Sequence, residues 1–453
     1  MKHSGADLTN GPVGPHLVRL TIPMFLGISS MIMAAMIDTV YVGWIGTLEL
    51  AAVSFTFPLV MALTTLPMGI GVGAASIIAR VVGEGDRLRV RRLSTNALLL
   101  VAVLVATLTG ITMWAIEPLF VLLGAEDDIL PIAVMYMKVW LFGLPVFAIP
   151  MVATTLMRAV GNARLPGVLM TVGAGMQVVL APVLIFGIPD LWPGLGLVGA
   201  AWGFVLSRIL VFLAAVFFLR RMDLLNFESR SIAERIDSWR EVLRIGVPSV
   251  ATNLIGPVSM AVIVAMLAEF GHEVVAGFGV ASRIESLATM VLMALSASTG
   301  PFIGQNWGRG LVDRIESAQR LAYRFSFAWG MFAFLVLAAS GRVLVGAINE
   351  DPGVIEATYL YLLLVPVTYG FLGSSMVAGS TFIALGKPLP PLVLSVARMA
   401  VFYVPLALLL QQWFGYGGIF AAAGICNLLL GVLSVVWVRR FLNTRAAQRL
   451  NPG

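Results

Sequence analysis

Charge is what this sequence has least of. Only 11% of its 453 residues are Asp, Glu, Lys or Arg, while 59% are hydrophobic. A water-soluble domain usually devotes about a quarter of its residues to charge, so this balance excludes a soluble globule. Cysteine is nearly absent too. Cys426 is the single one, which rules out an intrachain disulfide and leaves stability to helix packing. Three histidines (His3, His16, His272) and one thiol do not form a zinc site of usual spacing. A GxxxxGK[ST] phosphate loop is missing, so ATP-driven work has no motif. No Ser–His–Asp arrangement is visible within the apolar runs. These absences read as a protein that is not an enzyme and carries no cofactor.

Long uncharged runs are what the chain has in abundance. A bilayer core of about 30 Å needs about 20 apolar residues per helix. Runs of that length are expected to give twelve transmembrane helices, near residues 17–41, 51–79, 93–116, 130–157, 165–189, 197–219, 243–268, 275–304, 322–341, 355–385, 389–412 and 417–438. They are continuous rather than alternating, which favours helices over a barrel. The polar start from Met1 to Pro15 lacks the basic-apolar-small order of a cleavable signal, so the first span is expected to remain. Prolines at 23, 58, 145, 150, 248, 257 and 366 mark expected bends.

The cations show which way the chain runs. Apart from Lys138, Arg208, Arg283, Arg342 and Arg398, every Lys and Arg falls at the span ends or in the loops of one side. By the positive-inside rule that side is cytoplasmic, with both termini on it, as in a multi-pass protein of the inner (plasma) membrane. The opposite loops carry acids, as in "GAEDD" (124–128) and "INED" (348–351). The basic balance therefore reports topology rather than a nucleic-acid partner.

The two halves are also copies. "RLTIP" (19–23) overlays "RIGVP" (244–248), and at the same shift Gly85 meets Gly310, Tyr136 meets Tyr361, and Gly161 meets Gly386. Six spans per repeat predict an all-α protein of two six-helix lobes, 1–225 and 226–453, related by a pseudo-twofold axis along the membrane normal. The charged linker, about 220–241, is expected to form an amphipathic cytoplasmic helix between them.

Two acids lie inside spans, Asp38 and Glu285. An ionisable group there costs about 2.5–3.5 kcal/mol on insertion scales, so each reads as a functional group or as half of a pair. Arg283, two residues from Glu285, is read either as its partner or, pointing elsewhere, as cavity lining that leaves Glu285 free. Lys138 is expected to snorkel to the interface, whereas Arg208 and Arg398 are deeper and open to several roles. Gln177 and Asn253 are candidate cavity lining or interhelical glue. Met31, Met36, Phe55 and Met260 are candidate lining for a promiscuous cavity, with packing the competing reading.

Taken together, "IDTVYVGWIG" (37–46), "GVGAASIIARVVGEGD" (71–86), "STGPFIGQNWGRG" (298–310), "RAVGNARLP" (158–166), "IALGKPLP" (383–390) and "VASRIESLATM" (280–290) resemble the multidrug and toxic compound extrusion (MATE) family over nearly the whole chain. The resemblance implies a monomeric antiporter that exports amphipathic organic cations in exchange for H⁺ or Na⁺ by alternating access. It also implies that Asp38 is the family's ion-coupling aspartate, with Glu285 a second coupling candidate. Many relatives carry an Asn and an Asp four apart on the fifth helix. Here "MQVVLAP" puts Gln177 and Ala181 at those positions, and the missing carboxylate favours H⁺ over Na⁺. A lipid-linked oligosaccharide flippase of the same superfamily is the alternative.

Overall fold

A computed structural model describes residues 7–126, 128–188, 190–226 and 231–450, with side chains through Thr444. The expectations placed on Lys2, His3, Asp127, the centre of the linker (227–230) and the side chains of Arg445 and Arg449 lie outside the described residues.

Twelve helices among the described residues are long and apolar enough to cross a membrane. The first nine crossings are α1 (Val13–Ile45), α2 (Thr47–Glu84), α3 (Arg87–Leu122), α4 (Leu130–Ala159), α5 (Arg164–Phe186), α6 (Leu197–Arg221), α7 (Ile232–Ala268), α8 (His272–Gly308) and α9 (Val312–Gly346). The tenth is built of α10 (Pro352–Leu364) and α11 (Tyr369–Ala384), joined by a 3₁₀ turn at Pro366–Thr368. In the eleventh, a π-helical turn at Arg398–Tyr403 separates α12 (Leu389–Ala397) from α13 (Val404–Phe414). The last is α14 (Tyr416–Leu450).

Every expected span is present, and the differences lie at the ends and in the breaks. α3 starts at Arg87 because Asp86 caps it, accepting the Arg89 N–H at 2.9 Å, so the basic turn extends the helix beyond its apolar part. The linker helix is not separate: from Ile232 it runs unbroken into the seventh crossing. The helices pass Pro23, Pro58, Pro145 and Pro150 without interruption. Pro366 does coincide with a break. The π turn has its own cause in Pro405, which has no N–H to give and whose ring crowds the Val401 carbonyl.

Contacts divide the chain into two compact units. The first contains Ile22–Val250, and the second contains Leu8–Thr21 with the chain from Ala251 onward.

In the first unit small residues let backbones meet. A Cβ on Gly167 (α5) would stand 2.4 Å from the Pro23 carbonyl oxygen of α1, and one on Gly73 (α2) would stand 2.7 Å from the Gly246 nitrogen of α7. Membrane helices associate by such close packing, since lipid supplies no hydrophobic drive between them. The start of α7 is held by Trp239, whose indole N–H donates to the Asn96 carbonyl at 2.9 Å, and by an Arg89–Glu241 pair at 3.0 Å.

The second unit is packed around aromatic rings. Tyr361 of α10 meets Phe278 of α8 and Phe420 of α14 edge to face, at 5.7 and 5.1 Å between centroids. Its N-terminal segment is held at the end of α8 and the start of α9. Gln305 accepts the Leu8 N–H at 3.2 Å, while Arg314 donates to the Leu8 and Gly11 carbonyls at 3.1 and 2.7 Å.

The repeat is visible within each unit. Thr155 (α4) donates to the Gly71 carbonyl (α2) at 3.2 Å, and its repeat partner Ser380 (α11) donates to the Ser296 carbonyl (α8) at 2.8 Å. Gly85 and Gly310 both end helices with positive φ, 86° and 76°, as do Gly161 and Gly386, 89° and 76°. This left-handed conformation is the one glycine adopts without a Cβ penalty.

Candidate functional sites: two intramembrane carboxylates

Asp38 lies near the end of α1, half-buried within the first unit. Its partner is set by the way α5 packs on α6. Gly173, Gln177 and Ala181 recur every fourth residue and so share one face of α5, and all three are buried. A Cβ on Gly173 would crowd Val211 at 2.7 Å and the Arg208 guanidinium at 3.2 Å, while one on Gly203 would lie 3.1 Å from the Ala181 Cα. Small residues thus bring α6 close enough for Arg208 to reach Gln177.

The result is a chain of three side chains from three helices. Arg208 Nη2 donates to Gln177 Oε1 at 2.7 Å, and Gln177 Nε2 donates to Asp38 Oδ2. The guanidinium also lies over the rings of Phe147 and Phe204, 5.6 and 5.2 Å from their centroids. Such cation–π contacts are worth about 2 kcal/mol each when desolvated. Asp38 Oδ1 and Arg208 Nε are buried and have no hydrogen-bond partner among the described residues. Tyr136 of α4 lies within electrostatic reach of the carboxylate.

Glu285 of α8 is arranged differently. The approach of α8 to α10 is set by Gly277, where a Cβ would stand 2.8 Å from that of Ala357. Thr358 bridges the same contact by donating to the Gly277 carbonyl at 3.0 Å. Two turns along, Tyr361 Oη donates to Glu285 Oε2. Arg398, on the π turn, is the arginine whose charge acts on Glu285, yet its guanidinium donates to Asn427 Oδ1 at 2.9 Å. Asn427 in turn donates to Thr368 Oγ1, on the 3₁₀ turn, at 3.1 Å.

Of the two readings of Arg283, the pair with Glu285 does not form: Arg283 is exposed, and Glu285 takes its hydrogen bond from Tyr361. Residues two apart on a helix do not face each other, so spacing alone argues against that pair. Lys138 pairs with Glu117 of α3 at 3.3 Å, with side-chain exposures of 49% and 64%, so it has a surface role. Met31, Met36 and Phe55 are half-buried in the first unit. In the second, Asn253 is half-buried and Met260 exposed. Among these candidates the structure joins Gln177 to Asp38. Sequence reasoning missed the Arg208–Gln177 link and the parts played by Tyr361, Asn427 and Thr368. The recurrence of Gly173 four residues before Gln177, and Pro405 inside the eleventh span, were the available signals.

Known proteins place this architecture. The MatE family model matches the chain twice, over residues 23–183 and 248–409. The matches open on Pro23 and Pro248, the pair that closes the two overlaid repeat motifs. The chain belongs to the MatE family. Among curated relatives of this MatE chain, a protein of Shewanella oneidensis named "FAD transporter" is 34% identical over 426 residues, covering 94% of both chains. The "Multidrug export protein MepA" of Staphylococcus aureus is 22% identical, covering 95% of this chain and 94% of its own. In structure, the Vibrio cholerae MATE transporter VcmN in its bent form superposes with a TM-score of 0.90 at 26% identity, covering 95% of this chain and 97% of its own. The protein is therefore a multi-pass membrane transporter of small molecules, with the two-lobe fold of its relatives, and not an enzyme.

Proposed function

We propose that this MatE transporter exports an aromatic anionic compound of the flavin adenine dinucleotide kind in exchange for H⁺, with Asp38 as the ion-loading group. The observation that carries the cargo assignment is the balance of charge within the spans. Lys138 is paired at the surface with Glu117, which leaves Arg208, Arg283 and Arg398 against Asp38 and Glu285. Each acid has one oxygen already bonded within the protein, Asp38 Oδ2 by Gln177 and Glu285 Oε2 by Tyr361. A dinucleotide offers a pyrophosphate to guanidinium groups and flat rings to aromatic side chains. The Shewanella relative named "FAD transporter" supports the same cargo.

The ion assignment follows from the donors around Asp38. Na⁺ is a hard cation that wants several oxygen ligands. The carboxylate instead faces the Gln177 amide N–H, with the Arg208 cation behind it, and both repel a metal cation. A proton needs only the carboxylate oxygen. The cations gathered in the loops of one side support an inner-membrane location with cytoplasmic termini, and in this reading alternating access carries cargo outward as H⁺ enters.

The second reading, export of amphipathic organic cations, is favoured by the presence of two intramembrane acids and by relatives named as multidrug proteins in Bacillus subtilis and Staphylococcus aureus. Transport by purified protein in liposomes separates the two. Under an imposed pH gradient, flavin adenine dinucleotide should accumulate and ethidium should not, and an equal Na⁺ gradient should drive neither. Accumulation of ethidium alone would replace the first reading with the second.

A further inference from the structure

We propose that Arg398 is the group that binds the phosphates of an anionic cargo, held ready for them by Asn427 and Thr368. The inference deepens the cargo reading above and rests on it, naming the one arginine within the spans that is both open and fixed.

Depth comes first. Arg398 opens the π turn, nine residues beyond the start of α12 at Leu389, which is about 14 Å along the helix. That is near the middle of a bilayer core of about 30 Å, yet the residue is exposed. A guanidinium at such depth is not left facing lipid, because intramembrane cations face the bundle interior or a water-filled cavity. The open side of Arg398 therefore marks an aqueous space. Transporters built from repeats bind their cargo near the midplane, and π-helical turns are frequent at functional sites.

The other side of the guanidinium is fixed. Arg398 Nη2 donates to Asn427 Oδ1 at 2.9 Å. Asn427, 3% exposed, donates through Nδ2 to Thr368 Oγ1 at 3.1 Å, and Thr368 donates to the Val365 carbonyl at 2.7 Å. The relay has one direction: turning the Asn427 amide over would set its N–H groups against those of the arginine. A guanidinium carries five N–H donors, and this bond uses one. The rest have no acceptor among the described residues. Glu285, the acid on which the Arg398 charge acts, is bonded to Tyr361 instead. A fixed planar cation with free donors and no bonded anion is the complement of a phosphate, which accepts two parallel N–H bonds from one guanidinium.

Each of the other two arginines lacks one of these conditions. Arg208 lies over the Phe147 and Phe204 rings, its Nη2 is committed to Gln177 and its Nε is enclosed. Arg283 is exposed, but no hydrogen bond among the described residues fixes it, so a ligand would bear the cost of ordering a long side chain.

Binding to the purified protein in lipid nanodiscs tests this. The probes are flavin adenine dinucleotide and riboflavin, which has the same flavin ring and no phosphate, both followed by flavin fluorescence, and pyrophosphate, followed by calorimetry. Wild type should bind the dinucleotide more tightly than riboflavin and should bind pyrophosphate. Arg398→Gln should weaken the dinucleotide about tenfold or more, the loss of one charge-assisted bond, leave riboflavin unchanged and abolish the pyrophosphate heat. Arg398→Lys keeps the charge and loses the planar fork. It should fall between the two, and it carries the test if the glutamine variant does not fold. Pyrophosphate binding that requires Arg398, without binding of either flavin, would keep the phosphate site and remove the flavin cargo. Dinucleotide binding that neither substitution changes, or a loss equal for the dinucleotide and riboflavin, would overturn the site and leave the cargo reading standing. Binding of neither dinucleotide nor pyrophosphate by wild type would overturn both.

Discussion

The two units share a scaffold and differ in the chemistry placed on it. Their helix-ending glycines, the Thr155–Gly71 and Ser380–Ser296 bonds and the tyrosines at 136 and 361 are repeat-equivalent. The acids are not. Asp38 is on the first helix of its repeat and its partner position is Ile263, whereas Glu285 is on the second helix of its repeat and its partner position is Val60. The arginines differ as well, Arg208 coming from a sixth helix and Arg398 from a fifth. In the first unit an amide, Gln177, joins arginine to acid. In the second an amide, Asn427, holds the arginine on itself. Duplication supplied the packing, and each charge site was fitted to it separately.

If the lobes are chemically distinct, moving the acid to its equivalent position should not restore function. The double variant Asp38→Ile, Ile263→Asp is therefore expected to export nothing above empty liposomes, and recovered export would erase the distinction. Arg208→Gln should have the next largest effect, because it removes the cation behind Gln177 while leaving the amide in place. Loss of a charge-assisted hydrogen bond is worth about 1.5–3 kcal/mol, so a drop of about tenfold or more in export rate is expected under a fixed pH gradient. Asn427→Leu frees Arg398 to pair with Glu285, and should slow export several-fold without changing the amount of inserted protein, which gel filtration in detergent would check.

The shared scaffold should respond alike in both halves. Thr155→Val and Ser380→Ala each remove one interhelical hydrogen bond, worth about 0.6 kcal/mol on average in membranes. Thermal unfolding in detergent should show small and similar losses; a large loss in one half alone would mean that the repeat is not mechanical as well as geometric. At the small end, Lys138→Gln breaks an exposed ion pair of about 0–1 kcal/mol and should leave export unchanged.

How much of this could be read from the sequence depends on the range of the interaction. The twelve crossings were legible because a bilayer imposes length and apolarity on each one independently. The repeat was legible from glycines such as Gly85 and Gly310, whose positive φ restricts the residue type. Asp38 and Gln177 were singled out, the acid by its cost and the amide by its place in the motif. What failed was pairing. Arg283 is a candidate partner for Glu285 only by nearness in sequence, and an i, i+2 spacing turns the two apart. Tyr361 lies 76 positions away in the chain, and no local pattern announces it. The linker was read as a separate helix because its charge differs from the span that follows, but backbone hydrogen bonding continues regardless of polarity once a helix has begun.

The central claim is that Asp38 is the group through which a proton drives export. Its most direct test is export against external pH in proteoliposomes, with wild type and Asp38→Asn reconstituted at equal density. Asparagine keeps the volume and the contact to Gln177 but loads no proton. Wild type should show gradient-driven, pH-dependent accumulation of cargo, and Asp38→Asn should only equilibrate it, with no dependence on pH. A mutant that still concentrates cargo with the wild-type pH profile would contradict the account.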